Sequence, residues 1–227
     1  MNFFCTSLHK TGTSSLHSFA MRAGLRAQHA PSLEKWVDLE KQVAPLIGDS
    51  HAIVDALSQV IGSYDVHSDI PWPGLYHELA SMYPEARFIY IERDVEQWWR
   101  SLVAHWSLNV LSRRLRPYEV VQYGAFLPDG MRLVSKSDEM LMKKAFKRHR
   151  NDVASVIPAD KLLFVDLRSE FAASRLAEFM GVPAGTELRH ENKRWPAWIR
   201  LVRNVNSTVK NRTKHYDEVF VQAVPVV

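Results

Sequence analysis

Apolar and polar positions along the chain follow two rhythms. Short continuous apolar runs predict buried strands, and apolar residues three and four apart predict helices. Residues 2–7 form the first predicted strand. Thr13–Ala23 follows as a helix, with Leu16, Phe19 and Ala20 on one side and Gly24 as its stop. Pro31–Ile47 reads as a helix through Trp36, Leu39 and Val43, Ala52–Ile61 as another, and Tyr64–His67 as a short strand. Pro71 and Pro73 fix a turn, after which Leu75–Met82 makes a short helix that stops before Pro84. The run "RFIYIE" at 87–92 has the near-continuous apolar character of a strand buried on both faces. From Val95 a helix carrying Trp98, Trp99 and Trp106 extends to about Leu111. Residues 113–130, interrupted by Pro117, Pro128 and Gly130, keep neither rhythm and predict a lid or a substrate-facing excursion. A long helix over Ser137–Val156, a strand over 161–167, a short helix over Glu170–Met180 and a helix from Pro196 to about Lys214 complete the pattern.

Strands alternating with helices predict an α/β fold of three layers, a central parallel sheet covered on both faces. The 227 residues suit one substantial domain, and 46% hydrophobic with 24% charged residues is ordinary globular composition. The single Cys5 excludes an intrachain disulfide framework and a cysteine zinc site. Met1–Cys5 is too short for a secretory leader, and no apolar stretch reaches the roughly 18 residues of a membrane span. The expected setting is therefore cytoplasmic. The net charge of +4 is mild but uneven: Lys193–Tyr216 holds seven Lys or Arg and no Asp or Glu. That segment reads as a solvated helix face or as a contact for phosphates, acidic polymers or an anionic membrane surface.

The richest candidate chemistry follows the first strand, in His9-Lys10-Thr11-Gly12-Thr13-Ser14-Ser15. A strand, a loop and a helix in that order set backbone N–H groups and the positive end of a helix dipole together, which attracts anions. Lys10 adds a charge, the four hydroxyl residues add donors, and Gly12 permits close backbone approach. The triphosphatase pattern G-x-x-x-x-G-K-[ST] does not fit, because the residue directly before Lys10, where that pattern needs glycine, is His9. An uncommitted serine-rich helix cap remains the plain alternative. A second signal is Arg93, at the carboxyl edge of the "RFIYIE" strand, with Ser101 eight residues later in the next helix. Both side chains can reach one phosphate, although each alone reads as an ordinary surface residue.

Together these segments resemble the P-loop sulfotransferase family, the enzymes that use 3′-phosphoadenosine 5′-phosphosulfate (PAPS). "HKTGTSSL" looks like the family's 5′-phosphosulfate loop and "ERDVEQWWRSL" like its 3′-phosphate element. "HSDIPWPGLYHELASMYPEARFIYIERD", "FKRHRNDVASVIPADKLLFVDLRSEF" and "MGVPAGTELRHENK" are similar to the bacterial-type branch. The resemblance runs over roughly residues 2–195. It implies a sulfotransferase-like domain over 1–195 with a P-loop-type phosphate site, and a basic helix and tail over 196–227.

The resemblance implies transfer of a sulfuryl group from PAPS, without a metal, to a hydroxyl or amine of a small molecule, lipid or glycan. Lys10 would contact the leaving group, and Thr11, Gly12, Thr13, Ser14 and Ser15 would hold the 5′-phosphate. Arg93 and Ser101 would hold the 3′-phosphate, and Lys193 and Arg194 stand nearest to the family's C-terminal basic loop. A hydroxyl acceptor also needs a base. Asp69, in the Asp-x-Pro turn, is the first candidate, with His67 and His149 as competitors. Trp72, Trp98, Trp99 and the 113–130 excursion would supply an acceptor pocket or, for the tryptophans, core packing. No nucleic-acid partner is expected. Residues 193–216 offer a peripheral membrane contact or a homodimer contact. The rival readings are a catalytically silent nucleotide or polyanion binder and a variant P-loop kinase.

Overall fold

The computed structural model describes residues 1–29, 41–123, 127–128, 131 and 133–190. β1 (Phe3–Cys5) is central in a five-stranded sheet, where its three side chains are almost wholly buried. Its parallel neighbours are β3 (Val66–Ser68) and β4 (Arg87–Ile91). β2 (Ala27–His29) lies outside β3, and the strand Leu162–Val165 (β7) lies outside β4. The order is β2-β3-β1-β4-β7, all parallel, as the alternating pattern predicts.

Side-chain alternation along these strands sends neighbours to opposite faces. Phe4, Phe88 and Tyr90 enter one core with Ile53, Val54, Leu57, Trp98, Leu102, Phe146 and Val153. Those partners come from α2 (Ser50–Ala56), the adjoining Leu57, α5 (Val95–Trp106) and α7 (Glu139–Val156). Phe3, Cys5, Ile89, Ile91 and Val165 face a second core with α1 (Thr13–Arg22) and α8 (Ala172–Met180). Helices therefore cover both faces of a parallel sheet, and the expected three-layer α/β architecture holds.

Several boundaries differ from the sequence expectation. The strand Ala27–His29 was not predicted, and the helix expected over Ala52–Ile61 divides at Leu57 into α2 and α3 (Ser58–Ser63). The strand expected over Tyr64–His67 begins at Val66, and the short helix α4 covers Tyr76–Met82. The tryptophan-rich helix ends at Trp106, because Ser107 turns left-handed at φ 57° and caps it. At the start of the excursion, β5 (Arg113–Arg114) pairs antiparallel with β6 (Leu133–Val134) just beyond its end, and α6 (Pro117–Tyr123) lies between them. The helix predicted from Pro31 falls largely, and the one from Pro196 wholly, outside the described residues. Among those residues no helix is long and apolar enough to cross a membrane.

Because every strand of the sheet points the same way, His29, Asp69 and Arg93 and the loop after β1 all leave the same edge. The chain places β2 and β3 on one side of β1, then β4 and β7 on the other. The carboxyl edge between them is where open α/β sheets bind ligands.

Candidate active site

The loop between β1 and α1 is held from several directions. Thr6 N donates to Ile89 O at 3.0 Å, tying the strand exit to β4. The Thr11 hydroxyl donates to Leu8 O at 2.8 Å, so it braces the loop from within. Trp98 Nε1 donates to His9 O at 3.0 Å, and Arg93 Nη1 donates to Lys10 O. In a trans peptide the next N–H points opposite to the carbonyl. Fixing those two carbonyls therefore turns the Lys10 and Thr11 amides the other way. Gly12 precedes α1 at φ 126°, and no side chain caps that helix through it. A helix start without a side-chain cap keeps backbone N–H donors that suit an anion.

Lys10 itself sits at φ 70°, and Asp69, beyond the end of β3, at φ 75°. Left-handed backbone at two non-glycine residues costs free energy, and such strain concentrates at functional sites. Burial pushes the Lys10 ammonium below its ordinary range, an effect that the nearby Asp69 charge opposes and Arg93 reinforces. Burial pushes the Asp69 carboxyl up to about 6, although Lys10 draws it back. A lysine and a carboxylate with shifted affinities for protons thus share one neighbourhood, as catalytic groups do.

The other predicted residues fall into distinct places. Thr13 and Ser15 are buried in the first turn of α1, and Ser14 Oγ lies 3.1 Å from His29 Nε2. Ser101 is half-buried on the α5 stripe that also carries Trp98 and His105, three residues before it and four after. Both of those neighbours meet His9, Trp98 at its carbonyl and His105 ring to ring at 5.9 Å. Ser101 therefore lies on the helix face that borders the loop. His67 is wholly buried, with its ring 4.8 Å from Phe4 and 4.9 Å from Trp72. Burial holds its pKa near 4 despite the carbonyls of Tyr64 and Ile61. His149 is also wholly buried, Nε2 donating to Thr6 O at 2.6 Å, and burial likewise lowers its pKa to about 4. Trp72, Trp98 and Trp99 are core residues. Lys193 and Arg194 lie outside the described residues.

Sequence reasoning missed the cage around His9. Gln122 Nε2 and Tyr123 Oη lie 2.9 and 3.1 Å from His9 Nδ1, and Trp106 stacks obliquely at 5.2 Å. Burial, joined by His105, Lys10 and Arg113, keeps this imidazole neutral. Glu119 is buried on the helix that carries Gln122 and Tyr123, accepting from Arg113 Nη2 at 2.7 Å and from Arg116 N at 2.8 Å. The excursion thus closes over the loop, which its breakers alone could not reveal. Among the described residues, no cluster of three or more His, Cys, Asp or Glu is arranged to hold a metal ion.

A sequence profile described as Sulfotransferase domain matches residues 2–195. The chain belongs to the sulfotransferase domain family. It is 24% identical, over 242 aligned positions, to the Aspergillus versicolor "Ava biosynthesis cluster protein M". That alignment covers 92% of each chain. A sulfotransferase crystal structure from Alicyclobacillus acidocaldarius superposes with a TM-score of 0.50 at 13% identity, covering 91% of each chain. The latter likeness is one of fold. With the family, it makes this chain a sulfotransferase-type transferase of α/β architecture.

Proposed function

We propose that this sulfotransferase-domain protein moves a sulfuryl group from PAPS to a hydroxyl or amine of a small molecule, lipid or glycan. The observation that carries the reading is the Arg93 contact with Lys10 O, which joins two motifs 83 residues apart. The residues present fit such a donor. An uncapped helix start, buried hydroxyls and a partly desolvated lysine suit a phosphosulfate, and Arg93 with Ser101 suits a second phosphate. The donor, once bound, supplies the sulfuryl group and a phosphate leaving group.

Each residue then has a physical task. Lys10 and the loop amides offset negative charge that grows on the leaving phosphate, which is the larger part of such catalysis. Gly12, Thr13, Ser14 and Ser15 hold the 5′-phosphate, Thr11 contributing through its amide since its hydroxyl holds Leu8. Asp69 receives the acceptor's proton. It is the one of the three candidate bases that lies beside Lys10, whereas His67 and His149 are locked in the core. A cytoplasmic setting suits this donor chemistry, and residues 193–216 remain a proposed site for membrane or dimer contact.

Transfer of radiolabelled sulfate from PAPS to a panel of phenols, alcohols, sugars and amines tests the reading. Label should reach at least one acceptor class, and Lys10→Ala should lower kcat by about 100-fold or more. Transfer that survives Lys10→Ala unchanged would contradict the mechanism.

A further inference from the structure

His29 ends β2 and belongs to neither phosphate motif, yet both of its ring nitrogens face partners in the site. Ser68 donates its single hydroxyl hydrogen to Gln28 O at 3.1 Å. His29 Nδ1, 3.2 Å from Ser68 Oγ, must therefore be the donor in that pair and carry a hydrogen. In the neutral ring Nε2 is then an acceptor, and it takes the Ser14 hydroxyl hydrogen at 3.1 Å. The same Nε2 lies 3.6 Å from Asp69 Oδ2. In the neutral ring, then, a nitrogen lone pair faces a carboxyl oxygen, and the Ser14 hydrogen points at the ring.

The charges around the ring explain why it stays neutral. Burial first, then Lys10, hold His29 down to about 4. His17 on α1 packs at 5.5 Å between ring centroids and is itself lowered, by burial and then by His29. Asp69, after β3, is the acidic group facing the ring among the described residues. An anion received by the loop offsets the Lys10 charge and removes one of the two influences that disfavour the imidazolium.

We propose that His29 is a positioning residue of the transfer site, charged only when the donor is bound. As the phosphate fills the loop, one proton from solvent forms an N–H bond at Nε2. The imidazolium pairs with Asp69, keeps that carboxyl ionised for its work as base, and no longer accepts from Ser14. The Ser14 hydroxyl hydrogen is then released to the phosphate. The inference rests on the proposed donor, and it adds a proton taken up on binding and a reason for Ser14 to change partner.

Calorimetric titration with 3′-phosphoadenosine 5′-phosphate (PAP) near pH 7, in buffers of different ionisation enthalpy, counts that proton. The wild type should take up more proton than His29→Gln, and His17→Gln should match the wild type. His29→Gln should also lower kcat by about tenfold or more while the KM for PAPS changes much less. Equal uptake in wild type and His29→Gln, or an unchanged kcat, would overturn the proposal. Should His29→Gln fail to fold, nitrogen-15 resonances of the wild-type ring decide. Nε2 must pass from the unprotonated to the protonated pattern as PAP is added, and an unmoved Nε2 resonance overturns the inference alone. Failure of the wild type to bind PAP would overturn the donor assignment along with it.

Discussion

Asp69 and His67 lie two residues apart, yet the fold gives them opposite environments. His67 packs between Phe4 and Trp72, while Asp69 stands beyond the strand end at a left-handed backbone position, where it feels the Lys10 charge. Their variants should therefore separate. An ionised Asp69 as base gives kcat/KM for PAPS, which reports the free enzyme, an acidic limb that rises through about pH 6, since burial lifts its carboxyl to that value. Asp69→Asn should lose most activity and abolish the limb. His67→Ala should instead leave the limb in place and lower stability by about 2–4 kcal/mol through the cavity it opens. Near-normal turnover in Asp69→Asn, measured across that pH range, would make the carboxylate structural only.

At the scale of elements, two glycines define how the site is assembled. A Cβ on Gly74 would lie 2.2 Å from Val121 O, so the turn after β3 and α6 approach backbone to backbone. Gly74→Ala should part them and destabilise the protein by about 1–3 kcal/mol, read from its denaturation midpoint. Loss of the His9 cage should accompany it, since Gln122 and Tyr123 ride on the same helix. Gly12 combines φ 126° with a Cβ position 2.9 Å from Leu167 Cδ1, so Gly12→Ala should impair donor binding and stability together. The elements differ in how legible they are. The first loop and the Arg93 strand end are local patterns, and each can be read from a dozen residues. β2 is three residues, Ala-Gln-His, with no apolar run to announce it; only its pairing with Val66, His67 and Ser68 makes it a strand. The end of α5 depends on Ser107 turning left-handed, which a glycine would have advertised and a serine does not. His29, Gln122 and Tyr123 stayed invisible for the same reason, because their partners are 15, 113 and 114 residues away.

Across the whole molecule, buried histidines link stability to acid. His67 and His149 are held neutral near 4 in the fold but titrate at about 6.5 in an unfolded chain. Their contribution is complete above about 6.5 and is lost as pH falls toward 4, because the unfolded state then binds more protons. Asp69 acts with the opposite sign between 3.8 and about 6, since its folded carboxyl keeps a proton that the unfolded one releases. His67 and His149, joined by the likewise lowered His9 and His29, outweigh that one carboxyl and should leave a net loss on acidification, most clearly just below the ordinary histidine range. A denaturation midpoint lower at about pH 5 than at about pH 7 is expected, and His149→Gln should flatten the difference. A midpoint that rises on acidification would contradict this assignment of neutral core histidines.

The proposed function commits the site to one class of ligand, a nucleotide bearing phosphates at both 5′ and 3′ positions. The most direct test is calorimetric titration of the wild type with PAP, beside ATP with magnesium. PAP should bind at least about tenfold more tightly than ATP, and Arg93→Ala should remove that preference. ATP binding as tight as PAP, with Arg93→Ala making no difference, would contradict the account.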